Sequence, residues 1–261
     1  MTDPAIAGPA FRPGPARGRV YCAARTVRTT EVTPSARLRL DALARYLSDV
    51  AEDDLADSGL DEQYGWLVRR VVVAIRRYPV RGEHLQLATF CSATGPRWAE
   101  RTTTIAGSGT DLVQARAVWV AVARPDGRPV PLGAGFHRRY GAAAQERTVS
   151  ARLYHPGPPG PPGREPDRPW PLRASDFDPA GHVNNAIHWA AAEDVLDRAG
   201  WLPASVELEY DRPILPGCEL RLAVSRAKDD LTRDEIWLWL LDGTRKLASA
   251  RLAGPRPLRN G

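Results

Sequence analysis

Ala51-Glu52-Asp53-Asp54-Leu55-Ala56-Asp57-Ser58-Gly59 and Ala192-Glu193-Asp194-Val195-Leu196-Asp197-Arg198-Ala199-Gly200 are one phrase written twice, identical at five of nine positions. The offset is 141. Further along it becomes 135, where Gly82, Leu85, Leu87 and Ala88 fall on Gly217, Leu220, Leu222 and Ala223, and Leu112, Ala115 and Arg116 on Leu247, Ala250 and Arg251. Three matches in the same order indicate a duplicated unit. The six residues lost between the two offsets predict a longer loop in the first copy, between Leu60 and Ile75.

Each copy reads as one helix followed by four strands. The helices are predicted over Leu38–Ala56 and Asn184–Ala199, each followed by a glycine, Gly59 or Gly200. Strand-like runs follow at Leu67–Tyr78, Glu83–Cys91, Ala99–Ala106 and Leu112–Ala123, then at Ser205–Arg212, Glu219–Ser225, Glu235–Leu241 and Lys246–Leu252. Alternation is plain in Ile236, Leu238 and Leu240. One helix and four successive strands predict an α+β fold with antiparallel sheet. Ala186, Ala190, Ala191, Ala192 and Ala199 give the second helix a small-sided surface, suited to a sheet that wraps it closely.

These patterns set the expected organisation. Residues 1–18 read as a disordered tail and 19–145 as the first repeat. The Pro/Gly-rich residues 146–168 read as a linker, because such a run sustains neither helix nor central strand. Residues 169–261 form the second repeat. There is no apolar run long enough to cross a membrane and no visible signal peptide, so a cytoplasmic location is expected. Cys22, Cys91 and Cys218 lack metal-type spacing. The net charge of +5 comes almost wholly from arginine, the lysines being only Lys228 and Lys246. The basic residues are scattered among 31 acids, without a nucleic-acid motif.

Chemistry concentrates in Asp176-Phe177-Asp178-Pro179-Ala180-Gly181-His182-Val183-Asn184-Asn185, at the start of the second helix. A helix start offers unpaired N–H groups and a partial positive charge, which can hold a carbonyl oxygen as it becomes an oxyanion. Asp178 and His182, four positions apart across a glycine turn, could face one substrate atom. Asn184 is a candidate partner in catalysis, though both asparagines also suit a helix N-cap. Gly181, Val183 and Asn185 are candidate substrate-holding positions through their backbone. Glu209 is a secondary candidate base whose plainer reading is a carboxylate on a strand surface. His188 reads as structural. The first copy has Thr33-Pro34-Ser35-Ala36-Arg37 in place of the cluster, so one active site per chain is expected.

A duplicated helix-plus-sheet unit with Asp-Pro-Ala-Gly-His-Val-Asn-Asn opening its second helix resembles the acyl-ACP thioesterases over about Val20–Leu252. Trp66-Leu67-Val68-Arg69-Arg70, Arg77-Tyr78-Pro79 and Ala117-Val118-Trp119-Val120 add to the likeness. The resemblance implies a tandem double hotdog, with antiparallel sheet wrapped around a central helix in each repeat. It implies hydrolysis of an acyl thioester of acyl carrier protein, with a fatty or polyketide-type acid as product. Asp178 then matches the family's catalytic aspartate and His182 its histidine. Its expected asparagine falls on Ala180 and its expected glutamate on Pro213, which disfavours a multi-residue water-activating network. The Asp-Pro-Ala-Gly turn instead resembles hotdog enzymes in which a single aspartate is nucleophile or base. No cofactor or metal is implied. The partner is acyl carrier protein, with no nucleic acid and no membrane. The chain would act as a monomer of two repeats or a homodimer, with Arg173 and Arg212 as candidate members of an arginine rim. The other readings are a non-hydrolytic acyl-thioester-binding protein and a hotdog hydratase or dehydratase.

Overall fold

In the computed structural model the described residues are 11–60, 64–124, 126–160, 163–228 and 233–255. They fall into two compact units, Phe11–Arg152 and a second built on Leu153–Gly261. The first contains β1 (Tyr21–Thr26), α1 (Leu40–Ser58), β2 (Gly65–Ile75), β3 (His84–Thr94), β4 (Trp98–Gly107), β5 (Thr110–Val122) and α2 (Ala134–Ala144). Its sheet runs β1-β3-β4-β5-β2, antiparallel throughout. The second contains β6 (Arg168–Pro169), α3 (Asn185–Asp197), β7 (Ser205–Tyr210), β8 (Leu220–Lys228), β9 (Arg233–Asp242) and β10 (Arg245–Pro255). Its order is β7-β10-β9-β8-β6, again antiparallel.

The chain is therefore the expected α+β tandem double hotdog. In α1, Leu40, Leu43, Leu47 and Val50 repeat at helical spacing and are buried. Burying each contributes about 1.5–3 kcal/mol before entropy is counted. In α3 the buried face is Ala186, Ala191, Ala192, Val195 and Leu196 around one large side chain, Trp189. The alanines are the small side chains that the sequence suggested for this face.

The six extra residues of the first copy go mostly into a strand. β2 spans 11 residues and β7 spans 6, while the connections after Gly59 and Gly200, 60–64 and 201–204, differ by one. β2 absorbs its extra length partly in a bulge between Val68 and Arg70. Sequence reading also missed β1, α2 and the short β6. Both short strands are edges with little alternation, and α2 (AGFHRRYGAAA) contains two internal glycines, Gly135 and Gly141.

The expectations for the tail and the linker need correction. Of the predicted tail, residues 1–10 lie outside the described residues, but residues 11–18 dock on the first unit. Arg12 donates its N–H to Gln114 Oε1 at 2.5 Å and its guanidinium to Glu100 at 2.6 Å. Gly18, at φ +96°, lies so close to Ala143 backbone that a Cβ would sit 2.3 Å from it. Within the predicted linker, Pro161 and Pro162 lie outside the described residues, while 153–156 is bound to the second unit. Glu209, fully buried on β7, accepts the N–H groups of Tyr154 at 2.7 Å and His155 at 2.9 Å. Trp239 Nε1 donates to Pro156 O at 2.9 Å. Glu209 is thus no surface carboxylate; it anchors a crossing segment. Among the described residues, no helix is long and apolar enough to cross a membrane.

Candidate active site

The loop before α3 is tied at every corner. Asp178 N–H donates to His182 O at 2.8 Å, and Gly181 N–H to Asp178 O at 2.9 Å. The turn needs a left-handed residue and has Gly181 at φ +75°. Asp178 Oδ1 accepts the N–H groups of Ala180 at 2.9 Å and His182 at 3.1 Å. One carboxylate oxygen is therefore held by the loop, and Oδ2 has no hydrogen-bond partner among the described residues. Asp178 and the His182 imidazole are both half-exposed.

The helix start is partly committed. Val183 N–H donates to Ile214 O at 2.9 Å, and Asn184 N–H to Asp176 O at 2.8 Å. Neither is open to a substrate oxygen, so the proposed backbone trio narrows. Asn185 N–H, the first helical one, has no acceptor among the described residues. Asn184 is the N-cap, its Oδ1 accepting Ala186 N–H at 2.9 Å, which leaves only its NH2 group for other contacts. Gly181 supplies the turn and Val183 a buried anchor.

Beneath the helix start lies a group that sequence reasoning resolved only in part. His188, fully buried, places Nδ1 3.3 Å from Asn184 O. Burial pushes its pKa down to about 4, so the ring is neutral. Tyr210 OH accepts from Trp189 Nε1 at 2.9 Å and donates to Asn185 O at 3.4 Å. Burial raises its pKa, keeping the phenol protonated. These neutral groups fix the first turn of α3 without adding charge. The spacing of His188, one turn after Asn184, was the available signal. Tyr210 had none, because its partner Trp189 is distant in sequence.

The first unit holds a cavity of about 380 Å³. Its walls include Ala51 and Leu55 of α1, Trp66, Trp119, Phe136 and Tyr140. Trp66, Phe136 and Tyr140 pack in series, with ring centroids 5.6 and 4.9 Å apart. Cys91 also borders the cavity, but burial raises its thiol pKa to about 12, so it rests protonated.

Two hotdog units in tandem on one chain define a double hotdog protein. The profile described as "Acyl-ACP thioesterase N-terminal domain" matches residues 18–138. A protein of Mycobacterium tuberculosis, described only as uncharacterized, is 30% identical over 222 residues, covering 84% of this chain and 87% of the relative. The chain belongs to the acyl-ACP thioesterase family and is a thioester hydrolase. Among solved structures, a protein described as an oleoyl thioesterase from Lactobacillus plantarum superposes with TM-score 0.80 at 20% identity, over 93% of this chain and 98% of that one. The 12:0-ACP thioesterase from Umbellularia californica gives TM-score 0.73 at 18% identity, over 92% and 99%.

Proposed function

We propose that the protein hydrolyses the thioester of an acyl carrier protein to a free fatty or polyketide-type acid, with Asp178 as the reacting carboxylate. One observation carries this reading: Asp178 presents a carboxylate with one oxygen pinned and the other without a hydrogen-bond partner among the described residues, six residues before the Asn184 cap of α3. In the nucleophilic form, the carboxylate attacks the thioester carbonyl carbon and pushes its electron pair onto oxygen. Asn185 N–H, at the positive end of the helix, stabilises that oxyanion. Collapse expels the phosphopantetheine thiolate and leaves an acyl anhydride, which water opens. In the base form, Asp178 takes a proton from the attacking water. His182, in the same loop, is the candidate to assist the leaving group, and the Asn184 NH2 group to orient the substrate.

Ala180 and Pro213 supply no polar side chain at two positions where the family resemblance expects one, which favours a single-carboxylate mechanism. The cavity of the first unit is a candidate site for an apolar ligand. Its aromatic and aliphatic walls suit a hydrocarbon chain. The family relationship suggests a place in fatty acid synthesis.

The deciding experiment is acid release from panels of acyl-ACP and acyl-CoA by wild type and Asp178→Asn. Asparagine can still accept both loop N–H bonds, so the loop is retained while the chemistry is lost. The rate is expected to fall by about 10²–10⁴-fold. Full activity in the variant would reject Asp178. Tight acyl binding by wild type with background turnover would favour the non-hydrolytic alternative.

A further inference from the structure

The second unit carries a cluster that thioester hydrolysis does not use. Alternation along β7 puts Val206, Leu208 and Tyr210 in the core and turns Glu207 and Glu209 to the other face. The crossing segment 153–156 lays His155 over that face. The His155 side chain is only 3% exposed, with Nε2 3.9 Å from Glu207 Oε2 and Nδ1 4.0 Å from Glu209 Oε2. Each distance exceeds a hydrogen bond. Ring Nδ1 lies 3.1 Å from Ser249 Oγ, while Nε2 is buried without a hydrogen-bond partner among the described residues.

This arrangement has a specific chemical gap. If Nδ1–H donates to Ser249 Oγ, Nε2 directs a lone pair into a space bordered by carboxylates. Lone pair and anion repel unless a cation lies between them. A tetrahedral metal with ligands at about 2.0–2.2 Å holds its donor atoms roughly 3.3–3.6 Å apart. The His155–Glu207 separation of 3.9 Å is a few tenths of an ångström longer, and one donor atom from each of His155, Glu207 and Glu209 lies within 4.8 Å of the others. The Glu207 side chain is 28% exposed, and metal binding would draw its carboxylate inward by that amount. The Ser249 contact is the outer-shell hydrogen bond that fixes the tautomer of a metal-binding histidine. One imidazole and two carboxylates suit a divalent transition ion better than calcium or magnesium, which prefer all-oxygen sites.

We propose that His155, Glu207 and Glu209 bind one divalent transition-metal ion, with zinc as the natural probe, fastening the 153–156 segment to the outer face of β7. Glu209 Oε2 already accepts His155 N–H at 2.9 Å, so backbone and ring of His155 converge on one carboxylate. The nearby cation, Lys246 Nζ, is engaged by His155 O at 3.0 Å and by Asp211 at 3.3 Å.

The test uses tag-free, chelator-treated full-length protein, titrated calorimetrically with Zn²⁺, with Mg²⁺ as control. The expected result is one equivalent of Zn²⁺ bound and a raised Tm, with affinity at least about tenfold weaker in His155→Ala and Glu207→Gln. Glu207 is partly exposed and its glutamine variant keeps the strand, so it decides alone if His155→Ala fails to fold. No stoichiometric binding, or equal binding by wild type and Glu207→Gln, overturns the proposal. Neither readout depends on catalysis, so failure here is distinct from failure of the Asp178 mechanism.

Discussion

Thr33 in the first unit and Asp178 in the second occupy the same place in one loop. Thr33 N–H donates to Arg37 O at 2.8 Å as Asp178 N–H does to His182 O, and Ala36 N–H to Thr33 O at 2.9 Å as Gly181 N–H does to Asp178 O. Leu38 N–H bonds Pro79 O and Arg39 N–H bonds Glu31 O, mirroring Val183 with Ile214 and Asn184 with Asp176. The backbone scaffold is duplicated and its chemistry is not. A carboxylate, a glycine and an imidazole stand on one copy, with a hydroxyl, an alanine and a guanidinium on the other.

Thr33→Val should therefore leave turnover within about twofold of wild type, whereas Asp178→Asn removes it. Thr33 Oγ1 lies 2.9 Å from Ser35 Oγ, a local contact worth about 1 kcal/mol to stability. Steady-state rates on one acyl thioester compare the two variants. A loss in Thr33→Val as deep as in Asp178→Asn would mean that both loops react.

The same comparison predicts opposite stability effects. Ala36 sits at φ +64°, the left-handed conformation that Gly181 adopts at φ +75°. Alanine there costs about 1–2 kcal/mol of backbone strain, partly offset in a glycine variant by greater unfolded-state freedom. Ala36→Gly should raise stability by up to about 1 kcal/mol. Gly181→Ala should lower it by about the same, since a Cβ there meets no atom within 4 Å and only the backbone resists. Urea midpoints of the two variants check the signs.

His188 gives the fold a pH dependence of defined sign. Its folded pKa is about 4, below the ordinary 6.5, because burial disfavours the charged ring. Between those values the unfolded chain binds the extra proton, so the contribution is complete above about pH 6.5 and declines as pH falls toward 4. It amounts to about 3 kcal/mol. Urea unfolding at pH 7.5 and 4.5 should show this loss in wild type, and His188→Gln should remove most of it. An unchanged pH dependence in His188→Gln would assign the effect to other groups.

Chain-length selection is expected to reside in α1. Ala51 is half-buried and borders the cavity, so Ala51→Phe fills space that a long acyl chain would occupy. Excluding two methylenes forfeits about 1.6 kcal/mol of burial, or roughly 15-fold in kcat/KM for the longest good substrate. Short acyl thioesters should be little affected. A uniform loss across chain lengths would place the acyl group elsewhere.

The duplication was legible because the strands repeat at a fixed offset, and both helices carry glycine at their ends. The loop equivalence was not, since Thr33 and Asp178 are 145 apart while the helix phrases match at 141. The four-residue difference is about one helical turn inside α1, and side chains that share backbone but not chemistry leave no identity to align. Asp178, Gly181 and His182 stood out because their types are rare together. The commitment of Val183 N–H to Ile214 O could not be read, because a backbone bond between distant segments leaves no trace in either residue's identity. Glu209 was misjudged for the same reason: its cover comes from Tyr154 and His155, within a proline-rich run whose composition signals only a linker.

Carrier docking provides the last prediction. Acyl carrier proteins are acidic, and this chain carries +5 net charge, nearly all its basic groups being arginine. Of the two arginines near the loop, Arg173 pairs with Asp176 at 3.0 Å. Arg212 is exposed and follows β7 directly, its N–H bonded to Leu247 O at 3.0 Å, so its backbone is fixed while its guanidinium faces solvent. A guanidinium so placed can form a forked contact with carboxylate or phosphate. Arg212→Glu should raise KM for acyl-ACP several-fold and leave kcat nearly unchanged, with little effect on a short acyl-thiol mimic. Raising salt from about 0.05 to 0.5 M, which shortens the screening length severalfold, should weaken wild type toward the variant on acyl-ACP only. Equal salt sensitivity for carrier and mimic would remove electrostatic docking from the account, and a KM change shared by both substrates would move Arg212 from docking to the thioester itself.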